Sequence, residues 1–439
     1  EATNMVSYLL RNGIKVEKTT TSVTVDGTTY PAGTYIIPMD QAKRGLANAV
    51  LYKGDDVSDW EAMYDPIVVN FPALRGFDTA EVRVKDAFTN KTSAVKSVKL
   101  PVTTLDTKAS KQVLANSNND VVKLVNTLLA DGKNVDYIVE GTNKGNFVVK
   151  TKDLLPYISN FVIEATPVTK IPKTVKLEKP KVAVIGSAQS KFSVKQLGFE
   201  IVDVADSDVI IDDSGAFKAD YLAGKTYVGI GGRALAAVKK AELLQGFDFN
   251  TTNLYHEGLV KSTVSDHILT SGYEANELLY STNGTWITAV PQGAEVLAKV
   301  ANSDDFYVAG WWPGHEKAKG QTLAFTTTLN DSTVTLFAND LAFRAHTQYS
   351  YRLLANSVFA SSLKNNGKTK KFSDLSANFW ANNEIESLTT EGIINGFTDG
   401  TFKPNLTLNR GQAAELLTKA LGLDVTNAVA KAPFKDIPV

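Results

Sequence analysis

The sequence contains no cysteine, which excludes disulfide bonds, thiol nucleophiles and zinc-thiolate sites. The sequence also lacks an excess of charge of either sign. It has 46 Lys and Arg and 47 Asp and Glu, which gives a formal net charge of −1. No overall field therefore attracts nucleic acid or an anionic membrane. Long apolar runs are absent as well: none approaches the roughly 18 residues that a membrane-spanning helix needs. These absences favour a globular chain without nucleic-acid partners or a membrane span.

The chain is long enough for more than one core. It has 439 residues, of which 43% are hydrophobic and 21% charged, a globular balance that predicts two to four domains. Residues 165–181 and 361–371 lack apolar periodicity and carry like charges, so they are predicted to be linkers. The predicted domains are therefore residues 1–170, 181–363 and 372–425.

The first predicted domain contains an approximate internal repeat. Residues 4–16 and 119–135 each read as an amphipathic helix that ends at a glycine, Gly13 or Gly132, before a short strand. A second strand that begins with glycine follows in each case. This order predicts a mixed α/β domain in which a helix–strand–strand unit is used twice. The alternative is two unrelated surface helices with similar caps.

The second predicted domain alternates short apolar runs with helical stretches. The runs begin with KVAVIG at residues 181–186 and continue through residues 201–204, 208–212 and 227–232. Such alternation predicts an α/β domain with a parallel, doubly wound sheet. We expect the strand from Lys181 to lie near the centre of that sheet.

Several sequence segments within residues 1–363 resemble those of a known family. They are YPAGTYIIPMDQAKRGLANAVL, MYDPIVVNFPALRGFD, KVAVIGS, VGIGG and FRAHTQYSYRLLANSVF. Together they resemble the C-terminal region of secreted zinc carboxypeptidase-like proteins of the carboxypeptidase A superfamily. In that family a class I glutamine-amidotransferase-like domain follows the peptidase domain. The resemblance implies that residues 181–363 have the amidotransferase-like fold.

The metal-binding motif of such peptidases is missing from this sequence. A catalytic zinc site needs a His-x-x-Glu pair and a distant third His, and none of the four histidines, His256, His267, His315 and His346, has Glu three residues later. We therefore expect no metal or other cofactor in this chain. The resemblance implies that a zinc-binding peptidase domain lies upstream of Glu1, and we expect the chain to be a piece of a longer protein.

The amidotransferase nucleophile is missing too. Related enzymes use Cys on a tight strand-to-helix turn, whereas residues 229–233 read GIGGR. Gly231 and Gly232 could bind an anion at the start of a helix, although glycine pairs more often permit a tight turn. Ser187 and Ser214 are alternative hydroxyl nucleophiles without a base that the sequence reveals. We interpret both as turn residues, and the chain as non-catalytic.

The most unusual aromatic cluster is GWWPGHE at residues 310–316. Trp311, Trp312 and His315 could stack on a sugar ring or a peptide. The alternative is that the two tryptophans close a domain interface.

The C-terminal segment carries the most specific pattern. It begins with FSDL at residues 372–375 and continues with Trp380, GIINGFTDGTFKP at residues 392–404 and LNRGQAA at residues 408–414. This pattern resembles an S-layer homology module. We predict helices at residues 380–388 and 410–421, joined through a tight turn at Asp399 and Gly400. A second Phe-x-Asp begins 62 residues after Phe372, so residues 432–439 are predicted to start a second, truncated module.

The S-layer homology resemblance implies a ligand. Modules of this family pack in a pseudo-threefold set whose grooves bind the ketal-pyruvylated sugar of secondary cell-wall polysaccharide. The implied ligand-binding residues are Asp374, Trp380, Gly396, Asp399 and Arg410. Arg410 fills the Arg of the family's Thr-Arg-Ala-Glu motif and would pair with the pyruvyl carboxylate. The sequence departs from that motif, since Asn409 and Gln412 replace its Thr and Glu. The alternative is that Arg410 only caps a helix or forms a local salt bridge.

These patterns predict an extracellular protein of a Gram-positive cell wall or S-layer surface. Its function would be that of a non-catalytic C-terminal region of a zinc carboxypeptidase-like protein, anchored to wall polysaccharide by S-layer homology modules. The main alternative is a structural S-layer or surface-assembly protein. A third is an enzyme that uses Ser187 or Ser214.

Overall fold

The computed structural model describes residues 1–63, 70–170, 172–365, 372–376, 379–390, 393–421 and 423. The chain forms two compact units, Glu1–Ser361 and Ser362–Val439, here called unit 1 and unit 2. The predicted start of a second module at residues 432–439 lies outside the described residues.

The described residues contain helices throughout the chain. They are α1 Ala2–Arg11, α2 Arg44–Leu51, α3 Phe71–Arg75, α4 Asn119–Ala130, α5 Thr151–Leu154, α6 Ala188–Gln196, α7 Gly231–Lys240, α8 Tyr351–Phe359, α9 Ser361–Asn365, α10 Asn382–Thr390 and α11 Arg410–Leu421.

The strands of the described residues all lie in unit 1. They are β1 Val16–Thr19, β2 Val23–Val25, β3 Thr28–Tyr30, β4 Tyr35–Ile36, β5 Thr92–Val95, β6 Lys111–Leu114, β7 Val135–Ile138, β8 Phe147–Lys150, β9 Ala165–Pro167, β10 Thr174–Lys176, β11 Lys181–Ile185, β12 Glu200–Ile201, β13 Val209–Asp212, β14 Thr226–Ile230, β15 Asp248–Thr251, β16 Glu257–Val264, β17 Asn276–Thr282, β18 Thr285–Ala289, β19 Glu295–Val300, β20 Tyr307–Trp311, β21 Thr322–Leu329 and β22 Ser332–Phe337.

Two small antiparallel sheets form the first part of unit 1, in the orders β4-β1-β5 and β10-β7-β8-β6-β9. In each, the strand after a helix pairs antiparallel with the glycine-led strand: β1 follows α1 and pairs with β4, and β7 follows α4 and pairs with β8. The hairpin β2–β3 is inserted in the first copy. The helix–strand–strand order thus occurs twice.

Both helices of this pattern end at the predicted glycines. Gly13 has φ 77° and Gly132 has φ 69°, the left-handed conformation that favours glycine after a helix. The residue after each glycine then caps the helix with a backbone hydrogen bond. After Gly13, the N–H of Ile14 donates to the carbonyl of Leu9 at 3.0 Å. The N–H of Lys133 donates to the carbonyl of Leu128 at 2.8 Å in the same way.

The segment predicted as the first linker contributes strands instead. Residues 165–167 and 174–176 form β9 and β10, the two edges of the five-stranded sheet. Pro167 fits there because an edge strand can leave an N–H position without a partner. Polar composition therefore reflects the exposed edge of a sheet here, and not a solvated linker.

The largest sheet has twelve strands and is parallel in one half only. The order β12-β11-β13-β14-β22 is parallel, which confirms the predicted α/β character. The remaining strands pair antiparallel, beginning with β21 against β22. The two-residue connection Asn330–Asp331 between them allows only antiparallel pairing.

The predicted position of the Lys181 strand is wrong. This strand, β11, lies second from the edge, beside the two-residue β12. The antiparallel half, which extends the sheet beyond β22, displaces the centre away from β11. Sequence runs identify buried strands, but only tertiary pairing sets their order.

An aromatic cluster joins the five-stranded sheet to the large one. The ring centroid of Phe147 on β8 lies 5.4 Å from that of Tyr137 and 5.3 Å from that of Phe359 on α8. The ring centroids of Phe359 and Phe199 are 5.2 Å apart. All four rings are buried. The predicted domains 1–170 and 181–363 thus meet across an apolar interface inside unit 1.

Candidate functional site

The S-layer homology segment in unit 2 is organised around two buried side chains, Phe372 and Ile385. The Phe372 ring lies 5.3 Å from that of Phe402. Gly396 has φ 61°, and a Cβ there would lie 2.1 Å from a Phe372 ring carbon. Gly396, one of the sequence-predicted ligand residues, therefore lies where the ring leaves no room for a side chain.

Two predicted ligand carboxylates accept hydrogen bonds within unit 2. Asp374 accepts from the N–H groups of Phe402 and Lys403, both at 2.7 Å, and these bonds, led by that of Phe402, lower its pKa. Asp399 accepts from the hydroxyl and N–H of Thr401 and pairs with Lys403 at 3.0 Å. Asp374 thereby ties residues 372–376 to residues 396–403, and Asp399 stabilises the turn within the second segment.

Acid should weaken unit 2 through Asp399. Hydrogen bonds from Thr401 and Lys403 lower the pKa of Asp399 from 3.8 to about 2. A carboxylate with a depressed pKa stabilises the folded state fully above its unfolded pKa and loses that contribution as the pH falls through the folded value. We expect the melting temperature of unit 2 to fall between about pH 4 and pH 2, and Asp399→Asn to remove part of this fall. Glu415→Gln on α11 is the matched control; an unchanged pH profile in Asp399→Asn would contradict the prediction.

Two other predicted ligand residues lie on the surface of unit 2. The side chain of Trp380 is 86% exposed, with its ring centroid 5.9 Å from that of Phe379. Arg410 is exposed at the first position of α11. A broad aromatic face and a guanidinium are groups that can stack on a sugar and bind its carboxylate.

The departure from the family motif around Arg410 preserves the helix cap. The N–H of Gln412 donates to Oδ1 of Asn409 at 2.9 Å, and the N–H of Asn409 donates to Oε1 of Gln412 at 3.0 Å. This reciprocal pair is a capping box, in which Thr and Glu normally occupy the same positions. Asn409 and Gln412 therefore still hold Arg410 at the start of α11.

Loss of this cap should destabilise α11. We expect Asn409→Ala to cost about 1 kcal/mol of unfolding free energy, because an N–H at the helix start loses its acceptor. Asn409→Asp, which keeps a side-chain acceptor, should cost little. Denaturation of unit 2 followed by helical circular dichroism measures both variants, and equal losses would show that the capping box contributes nothing.

The tryptophan cluster of unit 1 is packed inside that unit. Trp312 is 0% exposed and lies between Trp286 and Tyr307, at centroid distances of 5.9 and 6.3 Å. The nearly buried Trp311 donates through Nε1 to the carbonyl of Trp60 at 3.0 Å. Trp312 therefore has no free face for a sugar ring, and Trp311 joins the segment around Trp60 to the large sheet.

His315 belongs to the same packed region. Its ring stacks on that of Tyr307 at a centroid distance of 4.0 Å, and Nδ1 lies 3.0 Å from the carbonyl oxygen of Trp312. Asp56 lies 3.9 Å from Nε2. Among the residues that the structure describes, no group of three or more His, Asp or Glu could hold a metal ion. Absence of a metal in the purified chain stays a prediction, which elemental analysis would check.

The two candidate serine nucleophiles serve turns at the carboxyl ends of parallel strands. Ser187 caps α6 and donates its hydroxyl to Asp213, as Ser190 also does. Ser214 donates to Asp212, which accepts the hydroxyl of Tyr227 as well, at 2.8 Å. Sequence reasoning missed the two aspartates, although DDSG after an apolar run is a typical turn signal.

The glycines at residues 229–233 are required by packing. A Cβ on Gly229 would lie 2.7 Å from Leu336, and one on Gly232 would lie 3.0 Å from Oγ1 of Thr285. Gly231 begins α7 with φ 76°. The close approach of β22 and β18 therefore accounts for Gly229 and Gly232, and the positive φ accounts for Gly231.

Comparison with known proteins identifies the C-terminal module. Residues 371–414 match the S-layer homology domain. Over 51 residues the chain is 49% identical to the outer membrane protein SlpA of Thermus thermophilus, covering 12% of this chain and 6% of that protein. Over 67 residues it is 40% identical to the S-layer protein EA1 of Bacillus anthracis, covering 15% and 8%. The matches thus span less than a tenth of each relative.

The solved structures that resemble this chain are only distantly similar to it. A Thermoplasma acidophilum protein assigned as part of a GMP synthase is 14% identical, covers 44% of this chain and 99% of its own, and has a TM-score of 0.32. A β-galactosidase from Bacillus circulans is 12% identical, covers 42% of this chain and 31% of its own, and has a TM-score of 0.28. At these scores the likeness supports no conclusion on fold or function, and the amidotransferase-like fold stays a prediction.

The S-layer homology domain indicates a location at the cell surface or in an S-layer. Within the described residues, no helix is both long and apolar enough to cross a membrane. The Gram-positive source stays a prediction, since one relative is named an outer membrane protein.

Proposed function

We propose that this chain is a surface protein held on the cell wall through its S-layer homology module. The observation that supports this most directly is the match of residues 371–414 to that domain. The α10 and α11 helices, the hydrogen bonds of Asp374 and the capping box before Arg410 are consistent with a folded module. The partner would be cell-wall polysaccharide.

Within the module we assign ligand contact to Trp380 and Arg410. Both side chains are exposed, and they offer an aromatic face and a guanidinium, which suit a sugar ring and its carboxylate. The finer proposal is that the polymer is pyruvylated. Its ketal carboxylate matches the planar guanidinium of Arg410, while the Trp380 ring would stack on the sugar.

We propose a non-catalytic role for unit 1. Its hydroxyl candidates are bound to neighbouring aspartates, and its tryptophan cluster is buried. By the sequence resemblance, unit 1 would accompany a zinc carboxypeptidase-like domain encoded before Glu1. The alternative is a structural S-layer protein. The gene sequence before Glu1 distinguishes them, because only the peptidase contains His-x-x-Glu followed by a distant His.

Sedimentation with purified cell walls tests the anchoring proposal. The chain joined to two further S-layer homology modules, which complete the grooves, should sediment with walls that carry their secondary polysaccharide and should stay in solution when that polymer has been removed. Trp380→Ala should reduce the bound fraction, because the stacking face is lost. Trp60→Ala is the matched control, since this tryptophan of unit 1 is also exposed. Equal binding to intact and stripped walls would overturn the proposal.

A further inference from the structure

A cavity of about 310 Å³ lies in unit 1 between α1, the end of α3 and Gln348. Arg75 and Arg11 supply two cations to its lining, and Asn4, Tyr8 and Gln348 supply neutral polar groups. Its volume is at the lower end of the range for sites that enclose a small molecule. None of the sequence patterns described above pointed to this position.

Arg75 is held rigidly in this cavity. The preceding residue, Leu74, is buried in the apolar cluster of Leu259 and Tyr280. The following residue, Gly76, has φ 75°, and a Cβ there would lie 2.1 Å from the ring of Tyr349. The guanidinium lies over the Phe71 ring, 4.2 Å from its centroid. The position of Arg75 is therefore set before any ligand arrives.

Arg75 forms no salt bridge with any residue that the structure describes. Its Nε is buried without a hydrogen-bond partner, and burial lowers its pKa. Glu1 lines the same cavity and its charge raises the pKa of Arg75, but no ion pair joins them. A partly buried guanidinium with an unsatisfied donor costs free energy unless an anion or acceptor completes it.

The groups around Arg75 carry both positive and negative charge, because Arg11 and Glu1 line the same cavity. Burial lowers the pKa of His346, and the charges of Arg75 and Arg344 lower it further. The centroid of the His346 ring lies 5.0 Å from that of the Phe71 ring. Arg11 lies on the face of α1 that Asn4 and Tyr8 share at helical spacing. An anion in the cavity would thus meet two arginines, of which Arg75 is preorganised.

We propose that this cavity binds a small sugar acid, with the ligand carboxylate on Arg75. A planar carboxylate can accept two parallel bonds from the two terminal nitrogens of a guanidinium. The amides of Asn4 and Gln348 and the hydroxyl of Tyr8 can both donate and accept, which suits sugar hydroxyls. The site lies in unit 1 and does not depend on anchoring by unit 2.

Calorimetric titration of the full chain with D-glucuronate tests this site. Glucuronate should bind saturably, while glucose, which lacks the carboxylate, and inorganic phosphate, which lacks the sugar hydroxyls that Asn4, Tyr8 and Gln348 would bind, should bind at least about tenfold more weakly. Arg75→Gln should lower the affinity for glucuronate about tenfold or more, and Arg75→Lys less. Arg83→Gln is the matched control, because that exposed arginine pairs only with Glu81 at 2.9 Å among the described residues.

Melting temperatures separate ligand binding from a structural role. Glucuronate should raise the melting temperature of the wild type but not that of Arg75→Gln. If Arg75→Gln does not fold, Arg11→Gln and Tyr8→Phe provide the same comparison with smaller losses. The proposal is overturned by unchanged affinity in these variants, by equal binding of phosphate or glucose, or by titration heats that do not saturate.

Discussion

Replacing Arg410 by alanine is expected to weaken binding of pyruvylated wall polysaccharide by about ten- to a hundredfold, because a charge-assisted hydrogen bond is worth roughly 1.5–3 kcal/mol. The measurement uses the chain joined to two further S-layer homology modules, so that complete grooves are present. Arg410→Lys should restore only part of the affinity, since an ammonium cannot present the planar fork.

The polymer provides the matched control for Arg410. Removing its pyruvyl group should weaken binding of the wild type as much as Arg410→Ala does, and the two losses should not add. If Arg410→Ala binds as tightly as the wild type while the polymer still requires pyruvate, the carboxylate is bound in another module. Arg410 would then be a capping or salt-bridging residue, the alternative that its sequence setting left open.

Replacing Arg352 by methionine is expected to lower the unfolding free energy of unit 1 by about 3–4 kcal/mol. Arg352 on α8 is 3% exposed and donates to the carbonyls of Asn116, at 2.9 Å, and Gly272. Its guanidinium also lies 4.5 Å from the ring centroid of Tyr273. Methionine fills the space but leaves two buried carbonyls without this donor. Denaturant unfolding measures the loss.

Two variants test whether the Arg352 effect is local. Arg83→Met, at an exposed arginine, should change stability by less than about 0.5 kcal/mol. Gly272→Ala should be strongly destabilising, because its Cβ would lie 1.9 Å from the carbonyl oxygen of Asn116. An Arg352→Met protein as stable as Arg83→Met would show that other donors replace the guanidinium.

Much of the local structure was predictable because its signals lie within a few residues of each other. The Arg410–Leu421 helix has the predicted bounds, since its cap and apolar spacing are local. Gly13 and Gly132 end their helices for the same reason. The runs that became β11, β13 and β14 are apolar throughout, which indicates buried strands before any partner is known.

The ligand residues of unit 2 stay a prediction, and the structure shows further contacts that several of them make. Sequence resemblance grouped Asp374, Asp399 and Gly396 with Trp380 and Arg410. Asp399 bonds locally to Thr401 and Lys403. Asp374 accepts from Phe402, 28 residues away, and Gly396 packs against Phe372, so both also shape the module. Those partners depend on how the chain turns back, which no local pattern encodes.

By itself the sequence determined the helix ends and the apolar strands of this protein, because short-range periodicity and capping decide them, and its resemblance to a known family indicated the S-layer homology module. Only the tertiary structure decided that β11 lies near an edge, that half of the large sheet is antiparallel and that Trp312 is buried. It also placed Arg75 beside α1, about 65 residues earlier in the chain. Such contacts depend on long-range packing, whose partners no single stretch of sequence specifies.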